Sequence, residues 1–415
     1  MKKIIIIGGG AAGLMAAVNA ADSSCNKNCE ITVIEKNNRP ARKVMITGKG
    51  RCNVTNAAEL DGLIKNTPQN GKFLYSAFSG FSSADTIAFF EGCGVALKTE
   101  RGNRVFPVSD KAVDIVDALV NAVKKRGVKF IEAVAESIES ENGAVKAVRL
   151  SDGRTLAADS VILATGGLSY PLTGSTGDGY RMAGELGHTV TALTPSLVPM
   201  ECHEGFCSKL SGLSLKNVTL SVFEEGRKKA VFSELGEMLF THFGISGPLV
   251  LSASANIKKM GEKQYTAVID LKPALDAEQL DKRILRDFEE NLNRDFSNSL
   301  DKLLPKSLIP VIVSLSGIPA NTKVNHISRE QRIALVAAVK GLTLHITRFR
   351  PIEEAIITRG GIAVKEIDPS SMQSKLINGL FFAGELIDVD AYTGGFNLQI
   401  AFSTGALAGK SAAMQ

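Results

Sequence analysis

Three glycines near the amino terminus have the spacing that binds a phosphate-bearing dinucleotide. They are Gly8, Gly10 and Gly13, and an acidic residue, Glu35, follows about 20 residues later. In this motif the first glycine permits a tight turn, the second leaves room for a pyrophosphate, and the third lets a helix pack closely on a strand. We expect Glu35 to accept hydrogen bonds from ribose hydroxyls, and its charge would repel a 2′-phosphate. The motif therefore predicts FAD or NAD, rather than NADP, as the dinucleotide held here.

The segments around the glycines have the pattern of a strand, a helix and a second strand. Residues 4–7 are four isoleucines, an alanine-rich run extends over 16–21, and a second apolar run over 31–34 ends at Glu35. The helix amino terminus would present unpaired N–H groups and a partial positive charge to the phosphates. A signal peptide or a membrane span is the alternative, because residues 4–21 are nearly uncharged. Three consecutive glycines and the second strand argue against both.

Two later stretches are expected to face the same ligand. A strand predicted at Ser160 to Ala164 runs into Thr165-Gly166, where the backbone can approach a ligand closely. A strand predicted at Leu380 to Ala383 leads into the loop Gly384 to Gln399 and then into a helix of small residues. The N–H groups of Asn397 to Gln399, at the start of that helix, would stabilise negative charge.

Two more segments favour ligand contact. Arg42 to Asn56 has neither a helical nor a strand period and is rich in glycine and small polar residues. This composition favours a loop that wraps a phosphate-bearing ligand over an ordinary surface loop. The segment Thr173 to Gly179 opens a helix that ends at Leu186, and Asp178 is a candidate both for the N-cap and for a ligand contact.

The character of the chain changes near Ser196. The elements predicted beyond it are strands at Leu213–Phe223 and Gln264–Leu271, a turn region at Phe240–Pro248, helices at Asp276–Asn293, Lys306–Ser316 and Arg329–Val339, and a strand at Glu354–Ile357. We therefore divide the chain into a first domain part (1–195), an insert of strands followed by helices (196–345), and the rest of the first domain (346–415). The insert is expected to cover one side of the cofactor cleft.

Length and composition are those of a globular protein. The chain has 415 residues, 44% hydrophobic and 22% charged, enough for two or three domains with substantial cores. Its net charge of +5 comes from short clusters, and it has no Trp. A nucleic-acid-binding protein usually has a longer basic stripe with interleaved aromatic residues. We expect a small-molecule substrate, no nucleic-acid partner and no membrane association; the oligomeric state stays open.

The cysteines favour a reducing cytoplasm and no metal site. Six of them lie at positions 25, 29, 52, 93, 202 and 207, without a dense framework. Cys202 and Cys207, with His203 between them, lack the second ligand pair that closed tetrahedral zinc needs. Cys52 has no CxxC partner, so an inert buried thiol is favoured over a redox role.

Taken together, the motifs resemble those of two-dinucleotide-type flavoproteins, and most closely the bacterial BaiN-like NAD(P)/FAD-dependent oxidoreductases. The segments that carry the resemblance are Gly8–Gly13, Thr47–Asn53, Thr173–Gly179, Phe240–Pro248 and Gly384–Gln399. The resemblance implies an α/β fold, with a Rossmann-like FAD-binding domain and a mixed strand and helix insert. It also implies FAD as the cofactor and NAD(P)H as a transient reductant. We expect the FAD to be bound non-covalently, because no His or Cys stands at a position suited to covalent attachment. Its members include a bile-acid steroid reductase, and many carry an aminoacetone-oxidase label.

The cofactor-binding residues come from two sources. The glycine motifs point to Gly8, Gly10, Ala11, Gly13, Thr165, Gly166, Asp178 and Gly384. The resemblance implies FAD contacts at Ala12, Glu35, Lys36, Arg42, Lys43, Thr47, Gly48, Asn53, Val134, Glu385, Asn397 and Leu398. We expect Glu385 to accept from ribityl hydroxyls. The helix that begins near Asn397 would place its positive end at the flavin N1/O2 edge and favour the reduced state.

The chain has one glycine fingerprint, so NAD(P)H would visit transiently, between the insert and the first domain. Arg348 and Arg350 are candidates for contacting a 2′-phosphate. No catalytic acid or base is identifiable; His242 and Tyr392 are candidate proton donors, although a structural role is favoured for each. The leading hypothesis is a reductase of an unsaturated or carbonyl compound. The alternatives are a flavin oxidase acting on a small amine or ketone such as aminoacetone, and a non-enzymatic flavin-bearing binding or redox-sensing protein.

Overall fold

The computed structural model describes residues 1–23, 29–290 and 292–415. Cys25 lies outside the described residues. The chain divides into two compact units. The first unit is Met1–Ser196 with Ile352–Gln415, and the second unit is Leu197–Pro351.

The strands are β1 (Lys2–Ile7), β2 (Cys29–Glu35), β3 (Thr55–Asn56), β4 (Leu97–Glu100), β5 (Arg104–Pro107), β6 (Lys129–Glu132), β7 (Ala135–Glu141), β8 (Ala144–Leu150), β9 (Thr155–Ala157), β10 (Ser160–Leu163), β11 (Thr194–Ser196), β12 (Met200–Cys202), β13 (Ser214–Glu224), β14 (Phe232–Thr241), β15 (Gly244–Ser246), β16 (Tyr265–Asp270), β17 (Leu342–Phe349), β18 (Ile357–Arg359) and β19 (Leu380–Phe382). The helices are α1 (Ala11–Ser23), α2 (Arg42–Ile46), α3 (Leu60–Lys65), α4 (Tyr75–Gly80), α5 (Ser83–Gly92), α6 (Ala112–Lys125), α7 (Asp178–Glu185), α8 (Phe206–Lys209), α9 (Pro248–Asn256), α10 (Ala277–Glu289), α11 (Ile309–Ser316), α12 (Arg329–Lys340) and α13 (Phe396–Met414).

A parallel sheet of five strands forms the centre of the first unit. Its order is β19-β10-β1-β2-β6, so each neighbouring pair is parallel and β1 lies in the middle. Strands buried on both faces of a sheet are apolar along their whole length, as the isoleucines of β1 are. Read from the β6 edge, the sheet has the third, second, first, fourth, fifth order of a dinucleotide-binding fold. The predicted α/β, Rossmann-like fold class is confirmed.

Helices α1 and α13 pack against each other at backbone distance. A Cβ atom on Gly405 would lie 2.3 Å from the carbonyl oxygen of Ala12, and one on Gly409 would lie 2.1 Å from that of Ala16. No larger residue fits at either position. This contact explains why both helices consist largely of small residues, and it fixes the direction in which α13 approaches the sheet.

The start of α13 is also fixed by a buried glutamine. The Gln399 side chain is fully buried, and its Oε1 accepts hydrogen bonds from Thr55 Oγ1 (2.6 Å) and Thr86 Oγ1 (2.8 Å). Its Nε2 donates to Phe81 O (3.1 Å) and Ser403 Oγ (2.9 Å). A buried amide with all its groups paired holds one geometry, so the first turn of α13 has a defined position.

The second unit is built on a closed antiparallel barrel. Its strand order is β12-β15-β14-β13-β16-β17, and β17 closes the barrel by pairing with β12. Buried and exposed side chains alternate along β17, where Leu342, Leu344 and Ile346 are the buried ones. Helices α10 to α12 precede β17 in the chain and contribute apolar residues to the same core. The expected strand layer followed by helices is therefore corrected, because a last strand returns after the helices and closes the sheet.

The structure corrects three local predictions. The stretch Arg42 to Asn56 is not a continuous loop, because it contains α2, a 3₁₀ turn over Thr47–Gly50 and β3. The turn region predicted at Phe240–Pro248 contains the end of β14, all of β15 and the start of α9. The strand predicted at Glu354–Ile357 begins only at Ile357, after a 3₁₀ turn. In each case the part of any one element that lies in the predicted stretch has at most five residues, too few to show a helical or strand period in the sequence.

Among the described residues, no helix combines the length and the apolar character that crossing a membrane requires.

Candidate functional site

The glycine turn after β1 has the geometry that its spacing predicts. Gly8 has a φ of +105°, and a Cβ atom on Gly13 would lie 1.9 Å from Gly8 O. At Gly10, by contrast, nothing lies within 4 Å of the position that a Cβ would occupy. The turn therefore closes tightly behind Gly8 and Gly13 and leaves open space in front of Gly10, where helix α1 begins.

This open space belongs to a cleft at the carboxyl ends of the parallel strands. The cleft is lined by residues at or just beyond the ends of four strands, namely Ile7, Ile34, Ala164 and Ala383. It encloses about 1350 Å³, including space that is open to solvent. Ligands of open α/β sheets bind at this edge, outside the carboxyl ends of the strands.

Most residues predicted to bind the cofactor line this cleft. Those that do are Gly8, Gly10, Ala11, Ala12, Glu35, Lys36, Arg42, Lys43, Thr47, Val134, Thr165, Gly166, Asp178, Gly384, Glu385, Asn397 and Leu398. Three predicted residues, Gly13, Gly48 and Asn53, are not among the lining residues. Gly13 acts behind the turn, and Gly48, with a φ of +56°, packs against the backbone of Asn53.

Glu35 is held at the end of β2 by its own neighbours. Its Oε2 accepts from the N–H of Gly9 (2.8 Å), and its Oε1 accepts from both the N–H and the Nδ2 of Asn37 (2.8 and 2.7 Å). The Asn37 amide also donates to Thr173 O (3.2 Å). Each carboxylate oxygen has two lone pairs, so the oriented Oε2 keeps one for a ribose hydroxyl.

The Lys36 ammonium lies next to Glu35 and pairs with Asp178. The distance from Lys36 Nζ to Asp178 Oδ2 is 2.6 Å. Asp178 was expected as the N-cap of α7, but the N-cap is Gly177 and Asp178 is the first residue of the helix. Its carboxylate is directed to Lys36, so this interaction joins the segment after β2 to the start of α7.

Glu385 is the centre of a hydrogen-bond network. Its Oε2 accepts from Lys43 Nζ (2.7 Å), and its Oε1 accepts from Ser169 Oγ (2.9 Å) and the N–H of Thr358 (2.8 Å). Lys43 Nζ also donates to Ser169 Oγ (2.7 Å). The expected ribityl contact therefore has only the remaining lone pair of Oε2 available to it, because the other acceptor positions are used within the protein.

The amino terminus of α13 faces the same cleft. The Asn397 side chain does not point into solvent: its Oδ1 accepts from the N–H of Ala391 (3.0 Å) and its Nδ2 donates to Ala391 O (2.9 Å). The N–H of Gln399 donates to Gly395 O (3.1 Å), so the expected contribution of Gln399 to an anion site is wrong. The N–H groups of Asn397 and Leu398, in the first turn, are those that stabilise negative charge there.

The residues of the cleft fit FAD. Gly10 leaves the space that a pyrophosphate needs, and the first turns of α1 and α13 supply two positive helix ends. Thr165 Oγ1 is buried and has no partner among the described residues, although Thr165 lines the cleft. Val134, also in the lining, is an apolar residue with 42% of its surface exposed. A bound nucleotide would give Thr165 Oγ1 a hydrogen-bond partner and would cover the Val134 side chain.

Comparison with known proteins identifies the family. The model of the HI0933-like protein Rossmann domain matches residues 2–411. The chain belongs to the HI0933-like family. A 3-dehydro-bile acid delta(4,6)-reductase from Clostridium scindens is 31% identical over 418 residues, which cover 100% of this chain and 99% of the relative. A ribosomal RNA dihydrouridine synthase from Escherichia coli is 30% identical and covers 96% of this chain and 95% of the relative.

Solved structures of low sequence identity share the fold. The open form of a flavocytochrome c3 fumarate reductase has a TM-score of 0.52 at 17% identity and covers 100% of this chain and 78% of its own. The 3-ketosteroid delta1-dehydrogenase from Sterolibacterium denitrificans has a TM-score of 0.52 at 12% identity and covers 100% of both chains. The family assignment confirms the flavoprotein resemblance, and the chain is an FAD-dependent oxidoreductase.

The candidate proton donors are not brought together in the cleft. His242 is an exposed residue of the second unit, between β14 and β15, and its ring contacts Phe243 edge-on at 5.0 Å. Tyr392 is not among the lining residues, and its N–H donates to Asn66 O (3.0 Å). Neither residue therefore gains support as an acid from the geometry of the first unit.

Arg348 and Arg350 share one carboxylate in the second unit. Both donate to Glu201 at 2.8 Å, and the Arg350 guanidinium lies 4.7 Å from the centre of the Phe243 ring. Burial of Glu201 opposes its ionisation, but the hydrogen bonds from both arginines outweigh it and hold the Glu201 pKa below its ordinary value. This shared interaction gives both arginines a structural role within the unit.

The sequence reasoning missed several lining or network residues. They are Asn37, Ser169, Ser175, Met182, Ile356, Ile357 and Thr358. Asn37 could have been found, because a turn residue two positions after the ribose-binding acid is placed to hold its carboxylate. Ser175 lies in the segment Thr173 to Gly179, which was expected to face a ligand, although this residue was not singled out. The others come from distant segments and carry no local signal.

Cys52 is predicted to be unreactive in the folded protein. Its side chain is fully buried, and burial raises the pKa of the thiol to about 12. Only the thiolate reacts, so we expect native Cys52 to be alkylated by iodoacetamide at pH 8 at least ~100-fold more slowly than an unperturbed thiol. Peptide mass spectrometry after timed quenching measures this, with denatured protein as the fully reactive control. Rapid native labelling of Cys52 would overturn the assignment of an inert thiol.

Proposed function

We propose that this protein takes hydride from NAD(P)H and reduces a carbon–carbon double bond that is conjugated to a carbonyl group. One observation carries the proposal. The two relatives that match nearly end to end have different substrates in their names, a bile acid and ribosomal RNA. Both names describe the same chemical change. A 3-keto steroid with Δ4,6 unsaturation and the C5–C6 bond of uracil are each alkenes conjugated to a carbonyl.

The residues of the cleft support this chemistry because they suit the binding of FAD. FAD, when bound, accepts a hydride from one partner and passes it to another. The open turn at Gly10 and the first turn of α1 receive the pyrophosphate. Glu35 orients the ribose of the adenosine. At the other end, the N–H groups of Asn397 and Leu398 stabilise the negative charge that accompanies reduction.

The contacts of Glu385 bear on the source of the proton in this reaction. Reduction of a conjugated alkene needs a hydride at one carbon and a proton at the other. The half-buried carboxylate of Glu385 is engaged by Lys43 and Ser169 and by the backbone of Thr358. These contacts position the residue and do not leave it as a proton donor. We therefore assign Glu385 a positioning role. The proton that completes the reduction comes from a group other than Glu385.

The test uses the holoenzyme under anaerobic conditions. The protein is mixed with NADH and then NADPH, and bleaching of the flavin absorbance is followed. The reduced protein is then offered a 3-keto-Δ4,6 steroid and, separately, a ribosomal RNA fragment that lacks dihydrouridine. We expect bleaching by a nicotinamide, reoxidation by one acceptor, and a product that has gained two hydrogens. A flavin that stays oxidised with both nicotinamides would contradict the proposal. In a separate aerobic assay without nicotinamide, peroxide release with aminoacetone would contradict it as well.

A further inference from the structure

A second pocket lies on the outer side of α2, next to the FAD cleft. It is formed by 38–46 and 170–173 together with Glu353, all in the first unit, and Arg42 and Thr173 line both it and the cleft. It encloses about 1340 Å³, including space that is open to solvent. The two sites therefore share a wall.

The floor of this pocket is unusually apolar for a surface. Leu172 has 88% of its surface exposed and Ile46 has 46%, and both lie in the pocket beside Met45 and Pro171. Exposed apolar residues that cluster in one concave place mark a binding site more often than scattered ones do. Val134 in the FAD cleft is exposed in the same way, where a nucleotide is expected to cover it.

The rim of the pocket carries two arginines. The Arg39 guanidinium pairs with Asp117 at 3.1 Å, and both side chains are about half exposed, so solvent screens this interaction strongly. The Arg42 guanidinium donates to the side-chain carbonyl of Asn37 at 3.1 Å and has no carboxylate in the described part of the chain. Each guanidinium is therefore available to a phosphate with little competition from the carboxylates of the described residues.

An aromatic residue with a constrained backbone completes the pocket. Tyr170 has a φ of +53°, a conformation that a bulky residue adopts only where the surroundings impose it. Its N–H donates to Glu353 O (3.3 Å) and its carbonyl accepts from Thr173 Oγ1 (2.7 Å), which hold the turn. The adjacent Ser169 belongs to the Glu385 network. The turn thus presents a half-buried ring next to the Glu385 network of the cleft.

We infer that this pocket binds the nicotinamide dinucleotide, with its phosphates on Arg39 and Arg42 and one of its rings on the apolar floor beside Tyr170. The inference rests on the proposed function, because it names where the hydride donor of that reaction sits. It differs from the expectation of a site between the insert and the first domain. The chain has one glycine fingerprint, and yet the proposed reaction uses two dinucleotides. The second site needs no further glycine turn, because its side chains would hold the phosphates.

The test measures binding apart from turnover. The probe is the tetrahydro form of NADH or of NADPH, neither of which can donate a hydride, titrated into the FAD-loaded protein by calorimetry. The variants are Leu172→Glu and Arg39→Glu, both at exposed positions outside the FAD cleft. We expect each to weaken probe binding at least ~10-fold, because each places a carboxylate against a dinucleotide that carries phosphate charges. The flavin content should stay unchanged.

Matched controls separate this effect from a general change in charge. Leu376→Glu changes another exposed leucine of the first unit, and Arg149→Glu breaks a comparable surface ion pair with Glu139. Both controls should bind the probes as the wild type does. The half-saturating nicotinamide concentration for flavin reduction should rise in the two pocket variants, while the limiting rate constant stays the same. Comparison of the two probes shows whether the 2′-phosphate contributes.

The outcomes distinguish the site from the function. If neither probe binds wild-type protein and neither nicotinamide bleaches its flavin, the proposed function and the site both fail. If the wild type is reduced and binds a probe, but Leu172→Glu and Arg39→Glu bind it equally well, the function stands and the pocket is not the site. Weaker binding in the controls as well as in the pocket variants would also overturn the inference.

Discussion

Valine in place of Gly10 should strongly weaken FAD binding and leave the fold of the apoprotein intact. The position does not need glycine for its backbone, because Gly10 is not among the glycines with positive φ. Its Cβ would meet no atom within 4 Å, so the side chain would extend into the cleft without disturbing the protein. The pyrophosphate is expected in that space, and a branched side chain would exclude it. We expect at least a ~100-fold loss of FAD affinity, equivalent to about 3 kcal/mol.

The measurement is flavin content after purification and FAD titration of the apoprotein, with its thermal midpoint followed in parallel. Gly13→Ala is the contrasting variant, because its Cβ would lie 1.9 Å from Gly8 O, a backbone atom that cannot move aside. That variant should lose about 3 kcal/mol of folding stability or more. Wild-type FAD content in Gly10→Val would show that the open space is not the pyrophosphate site. An unstable apoprotein would show that the valine side chain disturbs the fold.

The parts of the site that could be predicted are those specified by one continuous segment. Gly8, Gly10, Gly13 and Glu35 lie within 28 consecutive positions, from 8 to 35, and the turn, helix and strand among them form by local rules. The same is true of Gly384 and the start of α13. In these segments each residue type has a steric or electrostatic reason that holds before the rest of the chain is placed.

The parts that could not be predicted depend on distant pairing. Helix α2 has five residues, too few to show a helical period. Strand β15 has three residues, and its place in the barrel comes from pairing with β12 and β14. The partners of Glu385 are separated from it by up to 342 positions. A single sequence contains no signal for such contacts, because any of its polar residues could supply them.

The relatives change one expectation about substrates. The short basic clusters and the absence of Trp favoured a small molecule over a nucleic acid. A relative that acts on ribosomal RNA matches nearly the whole chain at about the same identity as one that acts on a bile acid. Composition therefore does not separate the two substrate classes within this family, and both acceptors belong in the assay.

Alanine in place of Glu385 should destabilise the first unit and weaken FAD binding together. The carboxylate joins three segments, since it accepts from Lys43 in α2, from Ser169 and from the backbone of Thr358 in β18. Lys43 and Glu385 have only 24% and 19% of their side-chain surfaces exposed. Removing one partner of a largely buried pair leaves the other charge uncompensated and two further donors without an acceptor. We expect a loss of about 2–4 kcal/mol in the free energy of unfolding.

A double-mutant cycle tests whether this loss comes from the network. Glu385→Gln keeps an acceptor for Ser169 and Thr358 but removes the charge, so it should cost less than alanine. Lys43→Met removes the ammonium, and the double variant should be more stable than the sum of the two single losses predicts, because neither charge is then left alone. Urea unfolding of the apoproteins gives the four free energies, and FAD titration shows whether affinity follows them. Additive losses would mean that Lys43 and Glu385 contribute independently to stability. The effect of Glu385 would then come from its hydrogen bonds with Ser169 and Thr358 rather than from the ion pair.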